Sequence, residues 1–323
     1  MIEPISLGAI YSGQIYICLN NALLSWVRMA PSASSRRAVK VLCCKTFSIS
    51  LFCVYFFAFN KIYSSVKLAN SWISFSVGRL SPIKIESIPS NFRCRMASMA
   101  VESGITDMVA TPHCNIPGMM SNYYSEEYVR LFRETERALK EEGIPLNLYA
   151  GMEVFMTPEV PSLLREEKIL TINGSHFLLV EFAFDEDPDF ASQMLQEMKS
   201  LGLIPIVAHP ERYEFVQGNP QLVYEWRKLG YLTQLNKSSL MGRFGKHSYK
   251  TAHQLLQHNL ASVIASDAHS PFQRTPYMQD AYEELLLDYP ERYLRVLFEE
   301  NPRRICQDQQ TIRFELQPLD GKW

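Results

Sequence analysis

Apolar positions in this chain recur with two alternating periods. Short uninterrupted runs, of which Ile204 to Ala208 is the clearest, have the texture of strands covered on both faces. Between them lie longer, amphipathic stretches whose one face recurs at steps of three and four, such as Tyr128, Leu131, Thr135 and Leu139, or Phe190, Met194, Met198 and Leu201. Taken in order, the pattern predicts the end of a helix over 95–103, a strand over 105–110, a helix over 125–142 and a strand over 146–150. A short helix over 158–167 follows, then a strand over 176–181, a helix over 188–201 and a strand over 204–208. Next come a helix over 220–229, a strand over 231–236, a helix over 246–259 and a strand over 261–265. Helices over 277–287 and 291–299 close the series, and the remainder reads as a tail. Gly104 and Gly143 act as stop signals, and Asn173-Gly174 marks a turn. Strands alternating with helices in this way give right-handed βαβ units and a parallel sheet of six strands.

The carboxyl ends of the strands decide what the sheet is for. They carry His113, Glu153, Glu181, His209, Asn236 and the pair Asp267 and His269. Any one of these alone is more simply a hydrogen-bonded structural residue. Their recurrence is the informative feature, because a barrel gathers one site from the carboxyl ends of many strands. A flavodoxin-like sheet would instead focus its site at a switch point and favour a glycine-rich phosphate loop, which is missing here. Histidine and carboxylate donors without cysteine suit manganese, iron or zinc, two or three ions of which could generate hydroxide and polarise a phosphoryl or carbonyl oxygen. Arg212 and Arg274 come after two of the histidines closely enough to reach an anionic substrate. For Arg212 the competing reading is a surface ion pair with Glu211 or Glu214.

Composition changes the picture mainly at the amino end. Residues 1–90 carry nine Lys/Arg and two Asp/Glu, a balance of +7, whereas 91–323 carry twenty-three and thirty-two, a balance of −9. The acidic body argues against a nucleic-acid partner. We therefore divide the chain into an atypical extension, 1–92, and a catalytic body, 93–323. The extension centres on Phe47 to Phe59, thirteen uncharged residues, short of the roughly 20 needed to span a bilayer. Its readings are a poorly ordered segment, a membrane or targeting element, or translation of a frame foreign to the native gene. The seven cysteines are odd in number and show no C-x-x-C pair, which points to a reducing, cytoplasmic setting.

These residues carry a resemblance. Ala110-Thr-Pro-His113, Gly151-Met-Glu153, Val180-Glu181-Phe182, Ala208-His-Pro-Glu-Arg-Tyr213, Gln234-Leu-Asn236 with Gly242-Arg-Phe-Gly245, and Ser266-Asp-Ala-His269 resemble, in order, the PHP-domain phosphatases of the CpsB/CapC type over about residues 93–310. The resemblance implies an α/β fold, a distorted (βα)7 TIM-like barrel. It also implies manganese-dependent hydrolysis of phosphotyrosine on protein, the substrate being a bacterial tyrosine kinase that regulates capsule or exopolysaccharide synthesis. It assigns His113, Glu153, Glu181, His209, Asp267 and His269 as metal ligands, and Arg212 and Arg274 as phosphate-holding catalytic residues.

One departure stands out. The family opens with a strand ending in His-x-His, and this chain has no histidine before His113. Six βα units are visible where the family has seven, so the first strand and two ligands are missing. The compositional break near residue 92 favours a shifted reading frame over a genuine loss, and weak or absent activity is expected. If the frame is shifted, another frame of the DNA encoding residues 60–95 must contain an Asp-x-His-x-His strand. The alternatives are a phosphatase for a small phosphate ester and a catalytically dead kinase-binding partner. Cys114 is expected to pack at the rim rather than act as a nucleophile, and His247, His253 and His258 to be surface residues.

Overall fold

The computed structural model describes residues 90–319. The expected extension, up to Pro89, and its apolar centre Phe47 to Phe59 lie outside the described residues. Among the described residues no helix is long and apolar enough to cross a membrane.

The helices form where the sequence both patterns and caps them. Helix α1 is Ser90–Glu102. Helix α2, Glu126–Glu141, starts at the N-cap Ser125, whose hydroxyl accepts from the Tyr128 amide, and it places Glu126 and Glu127 in its first turn and Lys140 in its last. Helix α3 is Val160–Arg165. Helix α4, Pro188–Ser200, is capped by Asp187 and begins on a proline that donates no amide hydrogen bond. Then come α5, Glu214–Gly218, α6, Gln221–Lys228, α7, Lys237–Leu240, and α8, Lys246–Gln257. Helices α9, Gln279–Leu285, and α10, Glu291–Arg295, are followed by a π-helical turn, Val296–Glu300, and α11, Asn301–Cys306.

Eight short strands lie between them: β1 Asp107–Ala110, β2 His113–Cys114, β3 Asn147–Ala150, β4 Glu153–Phe155, β5 Phe177–Glu181, β6 Ile204–Ala208, β7 Leu232–Asn236 and β8 Val263–Ala265. All pairings are parallel. Strand β1 pairs β3, and the order β2-β4-β5-β6-β7-β8 makes a six-stranded sheet. The two sheets share one register, since Ala110 faces Ala150 and His113 faces Glu153. They are one pair of strands interrupted at Thr111-Pro112 and Gly151-Met152. Pro112 has no amide hydrogen to give the ladder. Gly151 closes so tightly that a Cβ there would lie 3.1 Å from Val109 Cγ1. The Tyr128 hydroxyl repairs the gap, donating to the Gly151 carbonyl at 3.0 Å and accepting from its amide at 3.2 Å.

Two apolar layers result from strand alternation. Leu178, Val180, Val207, Leu235 and Ile264 face the helices, whereas Phe177, Leu179, Ile206, Ala208, Leu232 and Val263 form an inner cluster with Val109 packed against it. Among the described residues the sheet does not close: no strand pairs the outer edge of β8 or of β1 and β2. A cavity of about 1030 Å³ lies there, lined by β1, by Val263 to Ala265, and by Phe92, Met96 and Ala97 of α1. Strand β1 is half-exposed along most of its length, unlike β5, which is buried throughout.

The six predicted strands are thus present, with three corrections. His113 and Glu153 lie inside the short strands β2 and β4 rather than beyond strand ends, because the proline and glycine interruptions only pause the ladder. Helices α5 and α7 were not predicted, being too short to establish a period. The chain also stays helical to Cys306, and the segment beyond it is no loose tail: Thr311 and Leu319 are buried, and Asn301 bonds Ile312 in both directions at 2.7 and 3.1 Å.

Candidate metal centre

His113, Glu153 and Glu181 sit on the inward face of β2, β4 and β5 because they share the strand phase of Val109 and Leu179. Period two would turn His209 outward with Val207. Its backbone instead adopts a left-handed φ of 33° at the start of the 3-10 turn Pro210–Arg212, which swings the imidazole inward. Three of the residues expected in the site hold such conformations, His209, Asp267 at 45° and Arg274 at 36°, and strain of this kind concentrates where function over-determines the backbone.

The four side chains converge. His113 Nδ1 lies 2.9 Å from Glu181 and Nε2 3.5 Å from Glu153, while His209 Nε2 lies 3.2 Å from Glu153 and 3.3 Å from Glu181. One ligand atom each from His113, Glu153 and Glu181 fall within 4.8 Å of one another. All four residues are buried. Neither nitrogen of His113, nor Nδ1 of His209, nor Nε2 of His269 has a properly directed hydrogen-bond partner. Buried polar atoms left in that state are costly, and a cation would satisfy them.

Asp267 and His269 complete the ring from the loop after β8. The His269 ring lies 6.1 Å from that of His113, and its Nδ1 faces the Asp267 carbonyl at 2.9 Å. The Asp267 carboxylate accepts from Asn236 Nδ2 and Arg274 Nη2, with Arg212 Nη1 4.0 Å away. The structure therefore brings together all eight residues expected from the sequence. Arg212 makes no surface pair with Glu211 or Glu214. Glu211 is fully buried and accepts from the Asn236 amide at 3.1 Å, tying the turn after β6 to the end of β7.

The two glutamates dominate the electrostatics around His113 and His209. Burial alone would lower both histidines, but Glu153 and Glu181 outweigh it and hold His113 at about 9 and His209 at about 10. Burial raises Glu181, yet His113 and His209 more than offset that and bring it below the usual carboxylate range. Asp267 is raised, by burial first and then by Glu153. Burial and Arg274 push His269 well down, which keeps its imidazole neutral and able to ligate.

Sequence reasoning missed several supports. Tyr213 is buried against His209, ring centroids 5.6 Å apart, and its hydroxyl accepts from the Phe182 amide at 3.1 Å. Phe184 and Phe244 pack on the Arg212 guanidinium. Tyr213 and Phe244 stood inside quoted motifs, but nothing in an aromatic letter says which cation it will face. Cys114 is fully buried in the core rather than at the rim, and burial pushes its thiol up to about 12. Of the three histidines in and just after α8, His247 is exposed, while His253 faces the Leu240 carbonyl at 3.1 Å and His258 that of Pro318 at 3.1 Å.

The sequence profile described as "Capsular polysaccharide synthesis, CpsB/CapC" matches residues 90–307. Tyrosine-protein phosphatase YwqE of Bacillus subtilis is 33% identical over 224 residues, 69% of this chain and 87% of its own. Putative tyrosine-protein phosphatase CapC of Staphylococcus aureus is 34% identical over 209 residues, 64% of this chain and 81% of its own. A crystal structure from work on YwqE of B. subtilis and CpsB of Streptococcus pneumoniae, described as unique metal-dependent tyrosine phosphatases, superposes with a TM-score of 0.67 at 32% identity, covering 72% of this chain and 92% of that one. The chain belongs to the CpsB/CapC family of capsular polysaccharide synthesis.

Proposed function

We propose that this chain is a metal-dependent protein-tyrosine phosphatase of the cytoplasm whose substrate is the phosphotyrosine of a bacterial tyrosine kinase governing capsule or exopolysaccharide synthesis. The observation that carries the reading is one cluster: His113, Glu153, Glu181 and His209 gathered around a shared point, with Asp267 between that point and two arginines. His113, Glu153, Glu181, His209, Asp267 and His269 would hold the metal, with manganese the expected ion. Such an ion supplies Lewis acidity, polarising the phosphoryl group and acidifying water.

The chain's own residues do the rest. Arg212 and Arg274, which face the Asp267 carboxylate, would bind the non-bridging phosphoryl oxygens. His209 and Glu181 are oriented before substrate arrives, His209 by its left-handed turn and by Tyr213. Burial of the ligands limits competing solvent. A cysteine nucleophile has no place in the scheme, since Cys114 is a buried thiol on the far face of β2.

We further infer that the strands belong to a (βα)7-type barrel that is short of one strand among the described residues. The inner cluster shared by β1, β5, β6, β7 and β8 supports this, as does the cavity between β1 and β8. The missing strand would carry the family's His-x-His, so activity should be slow. The test is manganese-stimulated release of phosphate from a phosphotyrosine peptide, set against a small phosphate ester. Preference for the peptide, abolished by chelation, is expected. Preference for the ester would replace the substrate class, and inactivity on both without metal binding would make the chain a binding partner of the kinase.

A further inference from the structure

Phe244 lies in the turn between α7 and α8, and neither the ligand set nor the phosphate-binding pair includes it. Its ring centroid is 4.4 Å from Arg212 Cζ and 5.3 Å from Arg274 Cζ, and Phe184 stands 4.6 Å from Arg212 Cζ. One aromatic side chain thus contacts both cations of the site. The turn is held in place. Gly242 and Gly245 flank the short stretch with φ of 70° and 89°, conformations natural to glycine, and the Arg243 amide donates to the Ser238 carbonyl at 2.8 Å. Two cations tie this turn to the segment just past Arg274: the buried Lys237 donates to the Tyr277 carbonyl and sits 3.3 Å from Asp280, and Arg243 lies 3.5 Å from Asp280. The loops bearing Phe244 and Arg274 are therefore mutually braced.

Two guanidinium groups beside one another repel, and long arginine side chains lose rotamer freedom when fixed. A ring face offsets both costs, attracting each cation through its quadrupole and presenting a flat surface to a flat group. We propose that Phe244 is the positioning residue of the phosphate clamp, holding Arg212 and Arg274 as a single preorganised anion-binding unit. The inference deepens the proposed function and rests on its assignment of the two arginines to phosphate.

The test is calorimetric titration of phenyl phosphate into the full chain in the presence of manganese, for the wild type and for R212A, F244L, F244Y and F244W, with melting temperatures measured alongside. Phe244→Leu keeps apolar bulk and removes the ring, so affinity should fall roughly 2- to 30-fold at an unchanged melting temperature. Phe244→Tyr and Phe244→Trp keep the ring and should bind as the wild type does. R212A should abolish binding. Loss in R212A with F244L equal to the wild type would overturn the role of Phe244 alone. Undiminished binding by R212A, or no binding by the wild type, would overturn the anion-site reading and this inference together. Equal losses in F244L, F244Y and F244W would reduce Phe244 to packing and also overturn it.

Discussion

His209 shows how a single residue can defeat its own strand. By alternation it belongs with Val207 on the helix side, and only the left-handed φ of 33° brings its imidazole to Glu153 and Glu181. The sequence made His209 a candidate because it ends an apolar run before a proline, and His113, Glu153 and Glu181 because they recur at strand ends. It could not show the turn of His209, since φ at one residue depends on the contacts of Tyr213 and Glu211 that appear only on folding. The raised pKa values of His113 and His209 give the metal-free chain a defined pH response. A group whose pKa is higher folded than unfolded adds stability that is whole below its unfolded value, near 6.5, and lost as pH rises through the folded values of about 9 and 10. Metal-free stability by urea titration should therefore decline between neutral pH and pH 10. Metal binding should run the other way, strengthening with pH and releasing protons at pH 7.5, as calorimetry in buffers of different ionisation enthalpy would reveal. Cys114 allows a separate check. With its thiol at about 12, only about one part in ten thousand is thiolate at pH 8, so aromatic disulfide reagents should leave it unmodified until the chain unfolds.

At the scale of elements, the interrupted pair β1–β2 and β3–β4 is where architecture and site meet. The stretch Thr111-Pro112 costs the ladder a donor, and the Tyr128 hydroxyl of α2 makes up the loss at Gly151, two residues before Glu153. Tyr128→Phe leaves the buried amide and carbonyl of Gly151 unsatisfied and should cost about 1–3 kcal/mol in urea unfolding, with weaker metal binding because Glu153, a proposed ligand, lies two residues on. A stability loss below about 0.5 kcal/mol would show that water or a backbone shift repairs the gap instead. Helical spacing announced Tyr128 as a core residue, but not that its hydroxyl would reach a neighbouring strand. The strands and long helices were legible because burial on both faces or one face writes a period into the sequence. Helices α5 and α7 write none, and the segment after Cys306 looked like a tail because its anchors, the Asn301 side chain and the Leu319 contact, are single long-range contacts rather than patterns.

At the scale of the whole molecule, the edge between β8 and β1, unpaired among the described residues, is the feature to which we attribute the slow activity proposed above. Paired edges are the rule for a buried parallel sheet, and here half-exposed β1 faces Val263 to Ala265 across a cavity of about 1030 Å³. The sequence led us to expect an absent first strand, from the lack of histidine before His113 and the count of six units, but gave no hint of this cavity's size or lining. Replacing residues 1–89 by a segment carrying an Asp-x-His-x-His strand should raise both the urea midpoint and the rate of phosphotyrosine hydrolysis, and no gain in either would argue that the edge is complete in another way. The central claim remains that His113, Glu153, Glu181 and His209 form a metal-binding cluster. Its most direct test is manganese titration of the full chain beside His113→Ala and Glu181→Gln, followed calorimetrically with melting temperatures recorded. The account predicts saturable binding by the wild type and a loss of affinity of at least roughly tenfold in each folded variant. No binding by the wild type, or equal binding by all three proteins, would contradict it.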